Sequence, residues 1–246
     1  MKPLLQFKQV SIYHPKSDNT ILNEINFTIP HGEIVALLGP SGIGKSLLAQ
    51  SIFSLLPENL KMSGEITFQA QALTKAKRGR DLVLIPQSVE ALNPLMKIGK
   101  QLHTLTNNKQ KIKNTLLELG LEESIMRSYP FELSGGQRRR VMIAMALVSD
   151  AKLVVADEPT PGLDMEARQD LLQLLLKIKE QKKSLLFITH DFLAAQQIAD
   201  KIVVLKNGSV IDCIVREGCA FTDESFSHPY TRALWRALPE QSFTCE

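Results

Sequence analysis

Cysteine is scarce in this chain. Its 246 residues hold three, Cys213, Cys219 and Cys245, with no C-x-x-C spacing among them. The set offers no disulfide framework and fits a reduced, cytoplasmic setting. Long apolar runs are also missing: none approaches the ~18 residues a membrane-spanning helix needs. The leucine-rich stretch from Leu171 to Ile178 is interrupted by Gln173 and Lys177. Lys2 near the start is not followed by a sustained apolar segment, so no signal peptide is expected. Charge of one sign is not in excess either. The net charge of +3 is too mild to argue for a nucleic-acid partner. There is no internal repeat and no low-complexity tract. What remains is a chain with 44% hydrophobic residues, enough for a sizeable core. That is one large domain, or a domain with a subdomain.

Residues 4–12 and 25–29 alternate apolar and polar side chains, as half-buried strands do. Pro30-His31-Gly32 breaks the pattern. Ile34 to Leu38 is a continuous apolar run, typical of a strand covered on both faces. It leads into a glycine loop, and a helix is expected from near Gly44. Three more short apolar runs follow, Leu82 to Ile85, Leu153 to Ala156 and Leu185 to Ile188. Each stops just before a polar residue of interest: Gln87, Asp157 and His190. Ligand-binding residues at the carboxyl ends of parallel strands are the arrangement expected in open α/β sheets. From Gln87 to Asp150 helical periodicity takes over. Ile112, Leu116, Leu117 and Leu119 mark one helix closed by Gly120, and Val141 to Val148 marks another. After about residue 213 the chain reads as irregular, with a short helix after Pro229.

The chemistry is concentrated in a few segments. Gly39-Pro40-Ser41-Gly42-Ile43-Gly44-Lys45-Ser46 has the spacing of a phosphate loop, expected by chance in roughly 1% of chains this long. Its glycines let backbone N–H groups converge on phosphate oxygens, with positive potential added by the helix start. Lys45 would reach the β- and γ-phosphates and Ser46 would ligate Mg²⁺. Leu153 to Ala156 places Asp157 and Glu158 at a strand end, where Asp157 would hold Mg²⁺; the same pair also reads as a helix cap. Asp164 likewise reads as the N-cap of a helix from Met165 to Lys179. Leu133-Ser134-Gly135-Gly136-Gln137 is unusual, because a helix start needs only the serine. Two adjacent glycines permit a close backbone approach by a ligand. Arg138-Arg139-Arg140, next in sequence, reads as a solvated basic helix face.

Taken in this order, the segments resemble the nucleotide-binding subunit of ATP-binding cassette (ABC) transporters. The resemblance covers about residues 4–240. It implies an α/β fold with a P-loop (RecA-like) ATPase core, an N-terminal antiparallel β subdomain and an inserted α-helical subdomain. The core would span 1–87 and 151–215, the insert 88–150, and a C-terminal extension 216–246. It implies ATP and Mg²⁺ as cofactors. Glu158 would polarise the attacking water, and His190, after Phe187-Ile188-Thr189, would bond the γ-phosphate and orient that water. Gln87 would sense Mg²⁺ and water and link the helical region to a membrane partner. Nucleotide contacts would come from Tyr13, Gly39, Ser41, Gly42, Gly44, Lys45, Ser46 and Leu47. Ser134, Gly135, Gly136, Gln137 and Asp164 would complete them across a dimer, with Mg²⁺ held by Ser46, Gln87 and Asp157. Tyr13 would stack on adenine, although Pro15 to Asn19 resembles an insertion that lengthens its path to the phosphate loop. It also reads as an ordinary tyrosine. Arg139 departs from the family, which commonly has Gln there.

Some stretches are similar to the peptide/nickel (oligopeptide-type) importers: Asn93-Pro94, Tyr129-Pro130-Phe131-Glu132, Val141 to Leu147, and the tail His228-Pro229-Tyr230-Thr231-Arg232-Ala233-Leu234. The ending at Glu246, without a cysteine-rich extension, is closer to the short nickel or metal-chelate members. The implied partners are two transmembrane permeases, a second ABC ATPase of the same or a different sequence, and, indirectly, an extracytoplasmic solute-binding protein. No nucleic acid is implied. The implied location is the cytoplasmic face of the cell membrane. Two other readings stand beside this one. One is a soluble ABC ATPase for cofactor assembly, translation or DNA repair. The other is a P-loop kinase or GTPase, against which Leu133 to Gln137 argues.

Overall fold

The computed structural model describes residues 2–17, 19–73, 79–218 and 221–238. Cys219 and Cys245 lie outside them; Cys213 is a free, exposed thiol. The chain forms two compact units, residues 1–75 with 184–246, and residues 76–183.

In the first unit, β1 (Leu5–Tyr13) and β2 (Thr20–Ile29) pair antiparallel. The sheet continues through β4 (Lys61–Phe68) to β5 (Gln71–Ala72). The alternation of β1 puts Leu5, Phe7, Val10 and Ile12 inside, and Phe7 stacks on Phe27 at 4.4 Å. The alternation slips by one residue after Phe7 because the register shifts there, with Gln9 at φ 50°. A second set of strands holds the loops of interest. β3 (Ile34–Leu38) lies parallel to both β8 (Ser184–Thr189) and β9 (Lys201–Lys206), and β10 (Ser209–Val215) turns back antiparallel on β9. Every residue of β3 and β8 is buried, which explains their unbroken apolar runs. The Asp200 carboxylate accepts from the Ile34 amide at 2.8 Å. The Ser184 hydroxyl accepts from Gly32 N–H and donates to the Pro30 carbonyl, fixing where β3 and β8 begin.

The tail is more ordered than the sequence suggests. β10 continues to Val215, and helix α7 (Pro229–Arg236) follows. Buried Asp212 accepts from the Ser227 hydroxyl at 2.7 Å and the His228 amide at 3.1 Å. His228 Nδ1 caps the helix, accepting from Tyr230 N–H. Trp235 then packs with Phe226 and Phe192, the latter on α6 (Phe192–Ile198). The His228 to Leu234 segment therefore has a structural task, docking the tail through one carboxylate and an aromatic cluster.

In the second unit β6 (Leu82–Ile85) and β7 (Leu153–Asp157) run parallel. Among the described residues, α-helices α2 (Ile98–His103), α3 (Lys109–Glu118), α4 (Gly135–Val148) and α5 (Met165–Glu180) accompany them. Ile112, Leu116, Val141, Ile143, Leu147, Leu171 and Leu175 are buried. Gly120 takes φ 65° where α3 ends.

The C-terminal end of α4 is held by a side chain far along the chain. Lys183 Nζ, almost fully buried, donates to the carbonyls of Ala146, Leu147 and Ser149 at 2.7–2.9 Å. These are orphan acceptors at a helix end, where a cation is also favoured by the dipole. Burial pulls the pKa of the ammonium down to about 8, reinforced by Lys111 and opposed by Asp150. Lys183→Met removes all three bonds, leaving the Leu147 and Ser149 carbonyls without this donor while Ala146 keeps the Ser149 hydroxyl, and is expected to cost about 2–4 kcal/mol, read by denaturant unfolding. The sign of its pH dependence follows from the lowered value. Between about pH 8 and the unfolded value of about 10.4, the unfolded chain holds a proton that the folded chain has released. Stability from this group therefore rises with pH across that window. The gap between wild type and Lys183→Met should widen there; a constant gap would contradict it.

Candidate active site

The first unit supplies the phosphate loop. β3 ends at Leu38, the chain turns through residues 39–44, and α1 (Lys45–Phe53) begins. A Cβ at Gly39 would stand 2.8 Å from the Leu205 carbonyl oxygen, so only glycine fits. Gly44 precedes the helix with φ 101°, a conformation natural to glycine. No side chain caps α1 and no acid lies in its first turn, which leaves a helix start suited to an anion. Lys45, 3% exposed, donates to the carbonyls of Gly39 (2.8 Å) and Pro40 (2.9 Å), folding its ammonium back over the loop. Ser46 and Leu47 are half-buried on the first turn, while Ser41 and Gly42 are exposed.

Strand register brings two further residues toward this loop. Leu38 pairs with Thr189, so the phosphate loop and His190 leave neighbouring strands at the same end. Thr189 is buried and its hydroxyl accepts from Asp191 N–H, while Asp191 caps α6 through Ala194 N–H. His190 is exposed between them. Tyr13, half-buried, closes β1 opposite Thr20. Its neighbour Ile12 pairs with Leu22, whose side chain is 3.1 Å from a Cβ built at Gly44. Beyond Tyr13, His14 N–H donates to the Asn19 carbonyl at 3.1 Å.

The second unit carries the remaining residues. Ile85 pairs with Ala156, so Gln87 and the Asp157–Glu158 pair leave adjacent parallel strands at one end. Gln87 is exposed; Asp157 and Glu158 are half-buried. Glu158 has φ 43°, a left-handed backbone that a non-glycine residue adopts at a cost of about 1–3 kcal/mol. Just beyond Gln87, Gln101 has a role the sequence did not reveal. Its buried amide accepts from Asn93 N–H and donates to the carbonyls of Asn93 and Met96. Asn93 in turn accepts from Leu95 N–H, so the Asn93-Pro94 turn is fixed from within.

The segment 133–137 begins α4 with a reciprocal cap. The Ser134 hydroxyl accepts from Gln137 N–H and the Gln137 side chain accepts from Ser134 N–H. Gly135 and Gly136 are exposed, and a Cβ at either meets nothing within 4 Å. Nothing in the described residues requires glycine there. Asp164 is the N-cap of α5, accepting from Ala167 N–H at 2.8 Å, so its capping role is present. The basic run differs from expectation. Arg138, Arg139 and Arg140 are half-buried, and Arg140 pairs with Asp170 of α5 at 3.6 Å. Burial lowers the pKa of Arg139. The run packs against the protein because α4 is covered on this side, which its uniformly basic sequence could not indicate.

A sequence profile described as "ABC transporter" matches residues 22–161. The chain is 36% identical to the metal-staphylopine import system ATP-binding protein CntD of Staphylococcus aureus, covering 94% of this chain and 92% of that one. The chain belongs to the ABC transporter family. It is also 33% identical to the oligopeptide transport ATP-binding protein OppD of Bacillus subtilis, over 96% of this chain and 72% of that protein. Among solved structures it resembles the dimeric, post-hydrolysis ATP-binding cassette MJ0796 bound to ADP and Pi. That likeness has a TM-score of 0.73 and 27% identity, over 87% of this chain and 99% of the other. The chain therefore has the ABC cassette fold, with an antiparallel β portion and a parallel core sheet, and is an ATP-binding ATPase. Among the described residues no helix is long and apolar enough to cross a membrane.

Proposed function

We propose that this chain is the ATP-hydrolysing subunit of a membrane importer for peptides or nickel/metal chelates. It would sit peripherally on the cytoplasmic face, beside two permeases and a second ABC ATPase, with a solute-binding protein acting outside. The observation that carries this reading is the pair Gly135–Gly136. Glycine at two exposed positions opening a helix costs up to roughly 0.5–1 kcal/mol each relative to alanine. No neighbour among the described residues requires them, so the requirement comes from a ligand or partner. In ABC proteins that partner is the ATP bound to an opposite subunit.

The remaining roles follow residue by residue. Gly39, Ser41, Gly42, Gly44, Lys45, Ser46 and Leu47 cradle the phosphates, and Tyr13 stacks on adenine. Ser46, Gln87 and Asp157 offer oxygen donors, the chemistry Mg²⁺ prefers, and that ion would neutralise phosphate charge. Glu158 polarises water and His190 bonds the γ-phosphate. Ser134, Gly135, Gly136, Gln137 and Asp164 serve the second cassette. Residues 88–150 form the helical insert that Gln87 joins to the permeases; 1–87 with 151–215 form the core, and 216–246 the extension. The solute class is supported by the names of the two relatives above.

The test is a pull-down of the Glu158→Gln protein with ATP and Mg²⁺ from detergent-solubilised native membranes, read by mass spectrometry. Recovery of two permeases and a sister ATPase supports the importer, and the accompanying binding protein points to the solute. Recovery of soluble partners alone overturns it in favour of a soluble ABC ATPase.

A further inference from the structure

Helix α6 begins two residues after His190 and is short, seven residues from Phe192 to Ile198. So brief a helix has little stability of its own and takes its position from what it packs against. It lies against β3 and β8, and the tail adds a hold at each of its ends. At the C-terminal end, Arg216 donates from Nε to the Ala199 carbonyl at 2.8 Å and from Nη2 to the Gln196 carbonyl, answering acceptors that a helix end leaves open. At the N-terminal end, Phe192 packs with Phe226 and Trp235, ring centroids 5.8 and 6.0 Å away. The two holds are joined. The Arg216 guanidinium lies over the Phe221 ring at 4.8 Å, Phe221 stacks on Phe226 at 6.4 Å, and Phe226 meets Trp235 at 5.0 Å. All four rings are buried.

This arrangement bears on His190. Thr189 before it is the buried end of β8, and Asp191 after it donates its N–H to the Thr189 hydroxyl and accepts from Ala194 N–H of α6. His190 itself is exposed, so its direction follows from where β8 stops and where α6 starts. Pairing with β3 anchors β8. We infer that Trp235, with Phe226 and Arg216, positions His190 for hydrolysis: the docked tail holds α6 so that the histidine is aimed at the γ-phosphate. Buried Asp212 is the latch, because its carboxylate holds Ser227 and His228 where the chain enters α7. The inference rests on the role proposed above for His190 and adds to it the part of the chain that aims it.

Trp235 is the only tryptophan in the chain, so its emission reports whether the tail is docked. The experiment measures that emission, ATP affinity, steady-state turnover and the thermal midpoint on the full chain. Trp235→Ala is expected to lower kcat by about tenfold or more and to leave ATP affinity within about twofold, the signature of a misplaced group that acts only in the chemical step. Trp235→Phe keeps a ring against Phe192 and restores most of kcat. Asp212→Asn puts a donor where an acceptor stood and loses one of the two bonds at the tail entry, so kcat falls in step with a red shift of the Trp235 emission. Phe7→Leu, which removes ring packing against Phe27, is the control for lost stability alone. A kcat loss in Trp235→Ala no greater than in Phe7→Leu overturns the positioning role. Wild-type turnover in Asp212→Asn with the emission showing a released tail does the same, as does weakened ATP affinity with kcat intact. His190→Ala tests the underlying reading separately: wild-type turnover in that variant overturns the role of His190 itself, whatever the tail variants do.

Discussion

Glu158→Gln is expected to lower ATP turnover by at least about 100-fold while leaving ATP affinity within a few-fold of wild type. A general base contributes about 10²–10⁴-fold, and an amide of the same shape cannot accept the proton. The fold should be indifferent. Glutamine keeps the size of the side chain and, like glutamate, is held at φ 43° by the backbone. That strained geometry lies at the end of buried β7, immediately before Pro159, and aims the side chain by backbone conformation. A non-glycine residue holds such a φ only where the surrounding structure over-determines it. Phosphate release and nucleotide binding, measured together, check this. A variant that hydrolyses at the wild-type rate would mean that Glu158 is not the base.

Gly135→Ala and Gly136→Ala are expected to move stability and activity in opposite directions. Both glycines lie in the first turn of α4, and a Cβ at either meets nothing within 4 Å. Alanine there should therefore stabilise the protein by up to about 0.5–1 kcal/mol, visible as a rise of a few degrees in Tm. ATP turnover should fall by tenfold or more, because the added methyl occupies the space through which a phosphate approaches the helix start. Thermal melts and steady-state ATPase assays on the same preparations decide it. Full activity in both variants would mean that no ligand comes close to this turn. Lower stability would mean that the glycines serve the chain's own packing.

The elements that position the site were legible because burial on both faces leaves an unmistakable pattern. Unbroken apolar runs such as Ile34 to Leu38 and Leu185 to Ile188 are wholly buried strands, and each ends just before residues proposed for the site. β4 was not legible: its first five residues are exposed and only Ile66, Thr67 and Phe68 are buried, so no alternation marks it. α2 spans six residues, too few for a helical period to register. Gln101 and Lys183 escaped notice for a different reason. Each bonds backbone carbonyls, and Lys183 reaches carbonyls more than thirty positions away. Only the folded chain reveals such partners. The arginine run was misleading in the opposite sense, since three consecutive cations suggest solvent while the packing of α4 half-buries all three.

The most direct measurement of the central claim is solute uptake by the complex recovered from native membranes and reconstituted in liposomes. Labelled short peptides and a labelled nickel chelate would be offered in parallel, with ATP and Mg²⁺ on the side of the ATPase and the binding protein on the other. The account predicts ATP-dependent movement of one of these solutes, abolished when this chain carries Glu158→Gln. ATP hydrolysis with neither solute class moving, or uptake that persists in the Glu158→Gln complex, would contradict it.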